Sequence, residues 1–585
     1  MHHKWILFTI LFFSTSLLAE DIKLSTHTIH FSGQQQFDEA TLQDAIGVDS
    51  KSFFQFWKED IPKIKDKLLP TLKPSLKSFY DSEGFYDAKF SIKETNTTVD
   101  VTIEENVPVK INDINISSDY DLSTLITVKN GEIFKAKDFI AIKNNIIQAL
   151  LKDGYCSYDL DTKAYVDLDI HKVDLKYLLK KGGVCTFGEV SVKGLESIDA
   201  KIVESRVRAT KGERFSNELI KDTYSSLYGL DAFDRVLINY DRKFYNVVPI
   251  DITVSEIEKS HHYCVGVGYD TFVGPRLRTQ YIKKNFLGNA QKFKVKASWS
   301  DKEYLAEIEF FRPALFDISD YYIDFGTKVG YSNLEYEGFI EEKGYGRVFL
   351  GYTDKKLMLR AGLGLENINI SLLDNLKEDE ELTRAINEGT FLLFYPYINI
   401  IYDGRDSKLN PKYGYYLSTY LEYGLAYDED ATDYIKTLLE GRAIHTLGDL
   451  TLAVVGKVGL IDGSSDGLSE SKLFFAGGSF SNRAYGYNEI GVIISPTEYS
   501  IEGAMTMANL SFEADYPIWG DIYGAVFTDN TMLSADSYDF SGEIITSAGV
   551  GVRYMTPIGP FKLDVGFNVH DTSQYGIQFQ IGQSF

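Results

Sequence analysis

The chain lacks any stretch, past its N-terminus, of the roughly 18 consecutive apolar residues that a membrane helix needs. If it enters a membrane, strands must carry it there. Basic residues are the minority, 60 Lys and Arg against 84 Asp and Glu, for a net charge of −24. A nucleic-acid partner would want the opposite balance, so none is expected. The 9 histidines and 3 cysteines form no cluster at metal-ligand spacing, and no metal site is expected. Gly266-x-Gly268 lies in a strand-like stretch without the strand-to-helix setting of a nucleotide loop, so no cofactor is expected. The front half holds no Gly-x-Ser-x-Gly elbow. Nothing reads as an enzyme. Proline is scarce at 13 residues and methionine scarcer at 6, whereas Tyr (39), Phe (38) and Gly (47) are plentiful. That mixture suits long antiparallel strands with aromatic belts.

The first residues read as an export signal. Lys4 supplies a positive start, Trp5 to Phe13 is nearly all apolar, and small residues run to Ala19 before Glu20-Asp21. Residues 1–19 are expected to be a cleaved signal peptide. Export permits disulfides. Cys156, after Gly154-Tyr155, and Cys185, opening the next strand region, form the candidate pair. Cys264 is left as a lone thiol.

Residues 22 to about 258 repeat weakly. Each unit has a helical stretch, a glycine turn and alternating strands. Leu76 to Ser82 leads to Gly84-Phe85-Tyr86 and the strand Val99 to Ile103. Phe139 to Leu151 leads to Gly154-Tyr155 and Val173-Asp174-Leu175. Glu218 to Tyr228 leads to Gly229-Leu230 and Ile250-Asp251-Ile252. A glycine just past a helix suits a left-handed cap, and the Val-Asp-Val pattern suits a half-buried strand. Units of this size, with two helices against a small sheet, resemble POTRA domains. The third matches best, through Phe187-Gly188-Glu189-Val190, Gly194 and Gly212-Glu213-Arg214-Phe215. The expected divisions are 20–107, 108–183 and 184–258.

From His261 the texture becomes strict alternation. Phe561, Leu563, Val565, Phe567 and Val569 are apolar, while Lys562, Asp564, Gly566, Asn568 and His570 between them are polar or glycine. One face would meet lipid and the other a wet lumen. Because every backbone group in lipid needs a partner, the sheet must close. The expected fold is three tandem α+β domains followed by an antiparallel transmembrane β-barrel of about 16 strands over 261–585. An even number returns both ends to the periplasm. Short turns at Asn410-Pro411, Tyr516-Pro517-Ile518-Trp519-Gly520 and Thr556-Pro557 would lie there, with the long segment Asp462 to Ser500 outside.

Four stretches, in order, carry a resemblance. Asp403-Gly404-Arg405-Asp406 is similar to a family turn. Leu473-Phe474-Phe475-Ala476-Gly477-Gly478 followed by Asn482-Arg483-Ala484-Tyr485 is similar to a loop that folds back into a barrel. Gly524 to Asp529 is similar to a Phe-x-Asp strand, and Gly551 to Gly566 to a C-terminal block. Together they resemble the Omp85 superfamily. Ala484 stands where that family has glycine and Asn482 where it has Val or Ile. The resemblance implies a loop tip at Arg483 and Tyr485 bound to a lumenal Phe527 and Asp529. It implies localisation in the outer membrane of a Gram-negative bacterium, in contact with its lipid, with the front domains in the periplasm. Three front domains look like the TamA family. That implies an inner-membrane TamB-like partner and client outer-membrane proteins, autotransporters among them, or phospholipid movement to the outer membrane.

The first strand must meet the last. Tyr263, Val265, Gly266 and Gly268 on one side, and Gly576, Gly582 and Phe585 on the other, are the expected seam. Its glycines would weaken it enough to open and template a client strand. A dedicated two-partner-type secretion transporter and a passive barrel are the other readings.

Overall fold

The computed structural model describes residues 26–48, 63–240, 246–270, 274–319, 321–336, 338–354, 356–374, 386–427, 432–492, 502–556 and 559–581. The expected leader, together with Gly582 and Phe585 at the seam, lies outside them. By its contacts the chain separates into two compact units. The first runs to Gly188 and adds Lys211–Glu218 and Asp241–Val248. The second holds the rest, to the C-terminus.

In the first small domain, β1 (Thr26–Ser32), α1 (Glu39–Ala45), β2 (Lys63–Lys65), α2 (Leu69–Ser82), β3 (Lys89–Glu94) and β4 (Thr98–Glu104) build a sheet of order β2-β1-β4-β3. Helix α2 buries Leu72, Leu76 and Tyr80, four apart, so a single stripe faces the sheet. From the other side β4 offers Val99, Val101 and Ile103, its alternate residues. The second domain has β5 (Lys110–Ser118), α3 (Ala136–Lys152), β6 (Asp159–Asp167) and β7 (Lys172–Lys180), with β7 central, parallel to β5 and antiparallel to β6. Two helices per unit were expected, and among the described residues this domain has only α3. The stretch that could have formed the other is a turn, in which the Asp121 carboxylate accepts the Ser123 N–H at 2.9 Å. Asp, Ser and Thr here compete with the helix for backbone bonds. The third domain comprises β8 (Thr186–Lys193), α4 (Ala200–Glu204), α5 (Asn217–Gly229), β9 (Phe233–Tyr240) and β10 (Val247–Glu256), ordered β8-β10-β9.

The repeat goes deeper than its glycine spacing. Past α2, Gly84 has φ +93°, and a Cβ there would stand 2.4 Å from the Phe134 carbonyl oxygen. Only glycine fits. Its own carbonyl accepts the Val109 N–H at 2.8 Å, and Phe134 N–H donates to the Val109 carbonyl at 2.9 Å. Past α3, Gly154 repeats this with Cys185 and Phe215, at 2.9 and 2.8 Å. Gly131-Glu132-Ile133-Phe134 and Gly212-Glu213-Arg214-Phe215 are thus equivalent turns. At the second joint Cys156 and Cys185 are also disulfide-bonded, with Cα atoms 5.9 Å apart. At the first, Glu83 pairs with Lys137 at 2.6 Å and Lys135 at 3.0 Å.

In the second unit sixteen strands pair each with the next, all antiparallel, from β11 to β26. They are β11 (His261–Asp270), β12 (Gly274–Lys283), β13 (Lys292–Trp299), β14 (Glu303–Ile318), β15 (Tyr321–Glu335), β16 (Phe339–Asp354), β17 (Leu357–Leu372) and β18 (Gly389–Asp403). Then come β19 (Tyr413–Ala426), β20 (Tyr434–Leu447), β21 (Leu450–Asp462), β22 (Thr506–Trp519), β23 (Ile522–Ser534), β24 (Ile544–Tyr554), β25 (Phe561–Asn568) and β26 (Tyr575–Ile581). The stretch Tyr516 to Trp519, expected to be part of a turn, closes β22. The ladder accommodates Pro517 by a register shift between Pro517 and Trp519. Burial is inverted relative to a water-soluble sheet. Val329, Leu363, Ile398, Leu417, Val526 and Val550 are exposed, while Glu307, Glu341, Glu366, Glu422, Glu513 and Asp529 are buried. Among the described residues no helix is long and apolar enough to cross a membrane. The loop after β21 touches both β17 and β25, so the sheet curls around it as a barrel. Also within this unit, Arg206, just past α4, forks onto the buried Asp324 of β15 at 2.8 and 2.9 Å.

Candidate functional site

The loop between β21 and β22 turns inward. It begins as a small ribbon in which Phe474 bridges Ala504, and Ala476 bridges Ile490. Gly477 and Gly478, both at positive φ, then reverse it toward the tip.

At the tip Arg483 is buried. Its Nε and Nη2 donate to the two oxygens of Asp529, each at 2.9 Å, and its backbone N–H donates to the same carboxylate at 3.0 Å. Its Nη1 reaches Glu513 and, at 3.4 Å, Asp564. The guanidinium lies 3.4 Å over the Phe527 ring. The planar fork suits a paired carboxylate and an aromatic face together. Arg553 joins Glu513 at 2.8 Å and also pairs with Asp564, and Lys562 lies 3.7 Å from Glu513. Three cations and three carboxylates thus interlock below the tip. Sequence reading placed Arg483, Phe527 and Asp529 together. It assigned no such role to Glu513, Arg553, Asp564 and Lys562.

The floor under the tip is a register feature. Glu513 pairs with Phe527, Phe527 with Gly549, Gly549 with Gly566, and Gly566 with Gly576. One row across β22 to β26 therefore ends in three glycines. A Cβ at Gly549 would lie 2.3 Å from the Phe527 ring. One at Gly566 would lie 2.8 Å from the Arg483 carbonyl carbon, and one at Gly576 2.5 Å from its oxygen. Gly576 had been expected to weaken the seam. In the structure it makes room for the loop backbone.

Beside the row, Tyr485 accepts from Asn568 at its hydroxyl (2.6 Å) and from Gln578 at its carbonyl (2.8 Å). Ala484 has no positive φ, so the missing family glycine costs no backbone strain here. Asn482, standing in for an apolar residue, is fully buried. It accepts the Ser547 hydroxyl and donates to the Ile545 carbonyl at 3.2 Å.

The base of the loop is held elsewhere. Lys472 is buried between Glu366 on β17 (2.7 Å) and Glu422 on β19 (2.9 Å), 4.4 Å over the Tyr395 ring. Sequence reading passed over this clamp.

At the seam, Tyr263 and Val265 are exposed on β11. Among the described residues no ladder joins β11 to β26; they are the two ends of the strand order. Cys264 is a free thiol on β11. No group of His, Cys, Asp or Glu among the described residues is arranged to hold a metal ion.

Residues 285–585 match the Omp85 superfamily domain. Over 97% of the chain and 74% of the relative, the sequence is 22% identical to the outer membrane protein assembly factor BamA of Nitratidesulfovibrio vulgaris. The protein of the same name from Neisseria meningitidis serogroup B is 19% identical over 95% of the chain and 78% of the relative. Among solved structures, BamA from Haemophilus ducreyi lacking POTRA domains 1–3 shares the fold. Its TM-score is 0.53 at 17% identity, covering 81% of this chain and 99% of that one.

Proposed function

We propose that this chain, which belongs to the Omp85 superfamily, is an outer-membrane assembly factor that templates client strands at the edge between β11 and β26. The observation that carries the reading is this pair of strand edges, joined by no ladder among the described residues, beside a lumen occupied by its own loop. An unpaired edge offers backbone donors and acceptors to any strand, with little regard for its sequence. The inverted burial supports seating in a lipid bilayer, and the relatives named as assembly factors support the class of client.

The three small sheets ahead of the barrel support a TamA-like arrangement, with the front domains meeting a TamB-like inner-membrane protein. Photo-crosslinking residues at Tyr263 and Val265 test the client class in cells. Adducts with several different outer-membrane barrel proteins are expected. Capture of one large exported protein alone would replace this reading with a dedicated transporter, and capture of lipid alone would favour lipid transport. A covalent tether from β11 to β26, in a Cys264→Ser background, should stop client assembly.

A further inference from the structure

The two seam strands are not equivalent. Both carry a lumen-facing glycine. A Cβ on Gly266 of β11 would meet nothing within 4 Å, whereas one on Gly576 of β26 would collide with the loop tip. The polar side-chain contacts described for β11 run from His261 to Tyr281 and Lys283, both on its neighbour β12. The last hairpin is bonded from within. Gln578 accepts the Ser479 hydroxyl at 3.1 Å and donates to the Tyr485 carbonyl at 2.8 Å. Gln574 donates to the Ala484 carbonyl at 3.2 Å, and Asn568 to the Tyr485 hydroxyl at 2.6 Å.

We infer that the loop tip and the last hairpin, β25–β26, form one body, and that the seam opens on its β11 side. The loop is then more than a plug. It splints one jaw of the gate and leaves the other free. Gln578 and Gln574 are positioning residues in this scheme, because they act on the edge through the loop. Gly566 and Gly576 are the seat that lets the loop backbone reach them. The consequence for clients rests on the templating reading; the splint itself does not.

Hydrogen exchange separates the two, since it needs no client. The full chain is measured in lipid nanodiscs, comparing peptides that cover His261–Asp270 and Tyr575–Ile581. Both are end strands with one described ladder each, so unequal exchange reports the splint. The β26 peptide should exchange about tenfold more slowly, a factor that a few hydrogen bonds supply. Gln578→Leu and Gln574→Ala, which leave the ionic cluster intact, should erase most of that difference. Arg483→Ala should erase it fully. A seam tether that failed to stop assembly would end the templating reading and leave the exchange result standing. Equal exchange of the two strands in the unaltered protein, or a β26 rate unmoved by Gln578→Leu, would overturn the splint.

Discussion

The lumenal loop is held at two ends by two chemistries. Its base relies on an ammonium, Lys472, between two carboxylates. Leu473 and Phe474 beside it pack with Phe339, Ile370 and Tyr434 in an apolar cluster. Its tip relies on a guanidinium whose fork, ring contact and backbone all have to fit at once, over a floor of glycines. An ammonium is a point charge that accepts many arrangements, and apolar packing spreads the load over many atoms. A fork in a fitted seat accepts few. The base should therefore give way gradually and the tip abruptly.

The largest break should come from Arg483→Ala. It strands Asp529 as a buried carboxylate, while Glu513 keeps Arg553 at 2.8 Å, for a loss on the order of 3–5 kcal/mol. Loss of the compact, heat-modifiable form in unboiled gels and of client assembly is the expected readout. Arg483→Lys should rescue little. Full rescue would mean that the tip is no more exacting than the base. Next is Gly566→Val, which drives a side chain into the Arg483 backbone and should cost roughly 2–3 kcal/mol by overpacking. Gly266→Val on the open strand is its near-neutral control in thermal melts. Lys472→Met should be milder, about 2 kcal/mol, since Glu366 keeps Arg347 at 2.8 Å. Protease clipping of the loop in intact cells should rise without loss of the folded band.

The smallest effect is a pH dependence confined to the base. Burial pushes the Glu470 carboxyl up to about 8 from an ordinary value of 4.5. A pKa raised on folding gives stability that is complete below 4.5 and is lost as pH rises through about 8. Proteolysis at the loop base should therefore increase as pH rises from 4.5 to about 8, and Glu470→Gln should flatten the curve. Equal pH sensitivity at the tip would erase the distinction.

What was legible in the sequence follows the range of the interactions. Strand alternation is local, so the barrel and its inverted faces could be read from neighbouring residues. Arg483, Phe527 and Asp529 came from motifs in family order. The glycine row was hidden because it exists only once four registers are set, and single strands carry no sign of the registers. The part Gly576 plays in seating the loop was consequently not legible. The Lys472 clamp joins residues 50 apart and further, and although Lys472 directly precedes the Leu473–Gly478 stretch, no motif marks Glu366 or Glu422. In the front domains the spacing of Gly84 and Gly154 was visible. The turn at Gly131 was not, because its partner is the preceding domain's cap.

The seat of the tip bears on the order in which the chain is made. Arg483 is synthesised before every strand that neutralises it, and the last of its described supports, Gln574 and Gln578, lie 90 and 93 residues beyond their loop partners. The full set of its described contacts therefore exists only once the β25–β26 hairpin is in place. A chain cut short before Phe561 would retain the arginine without Asp564, the glycine seat at Gly566 and Gly576, and the Gln574 and Gln578 contacts.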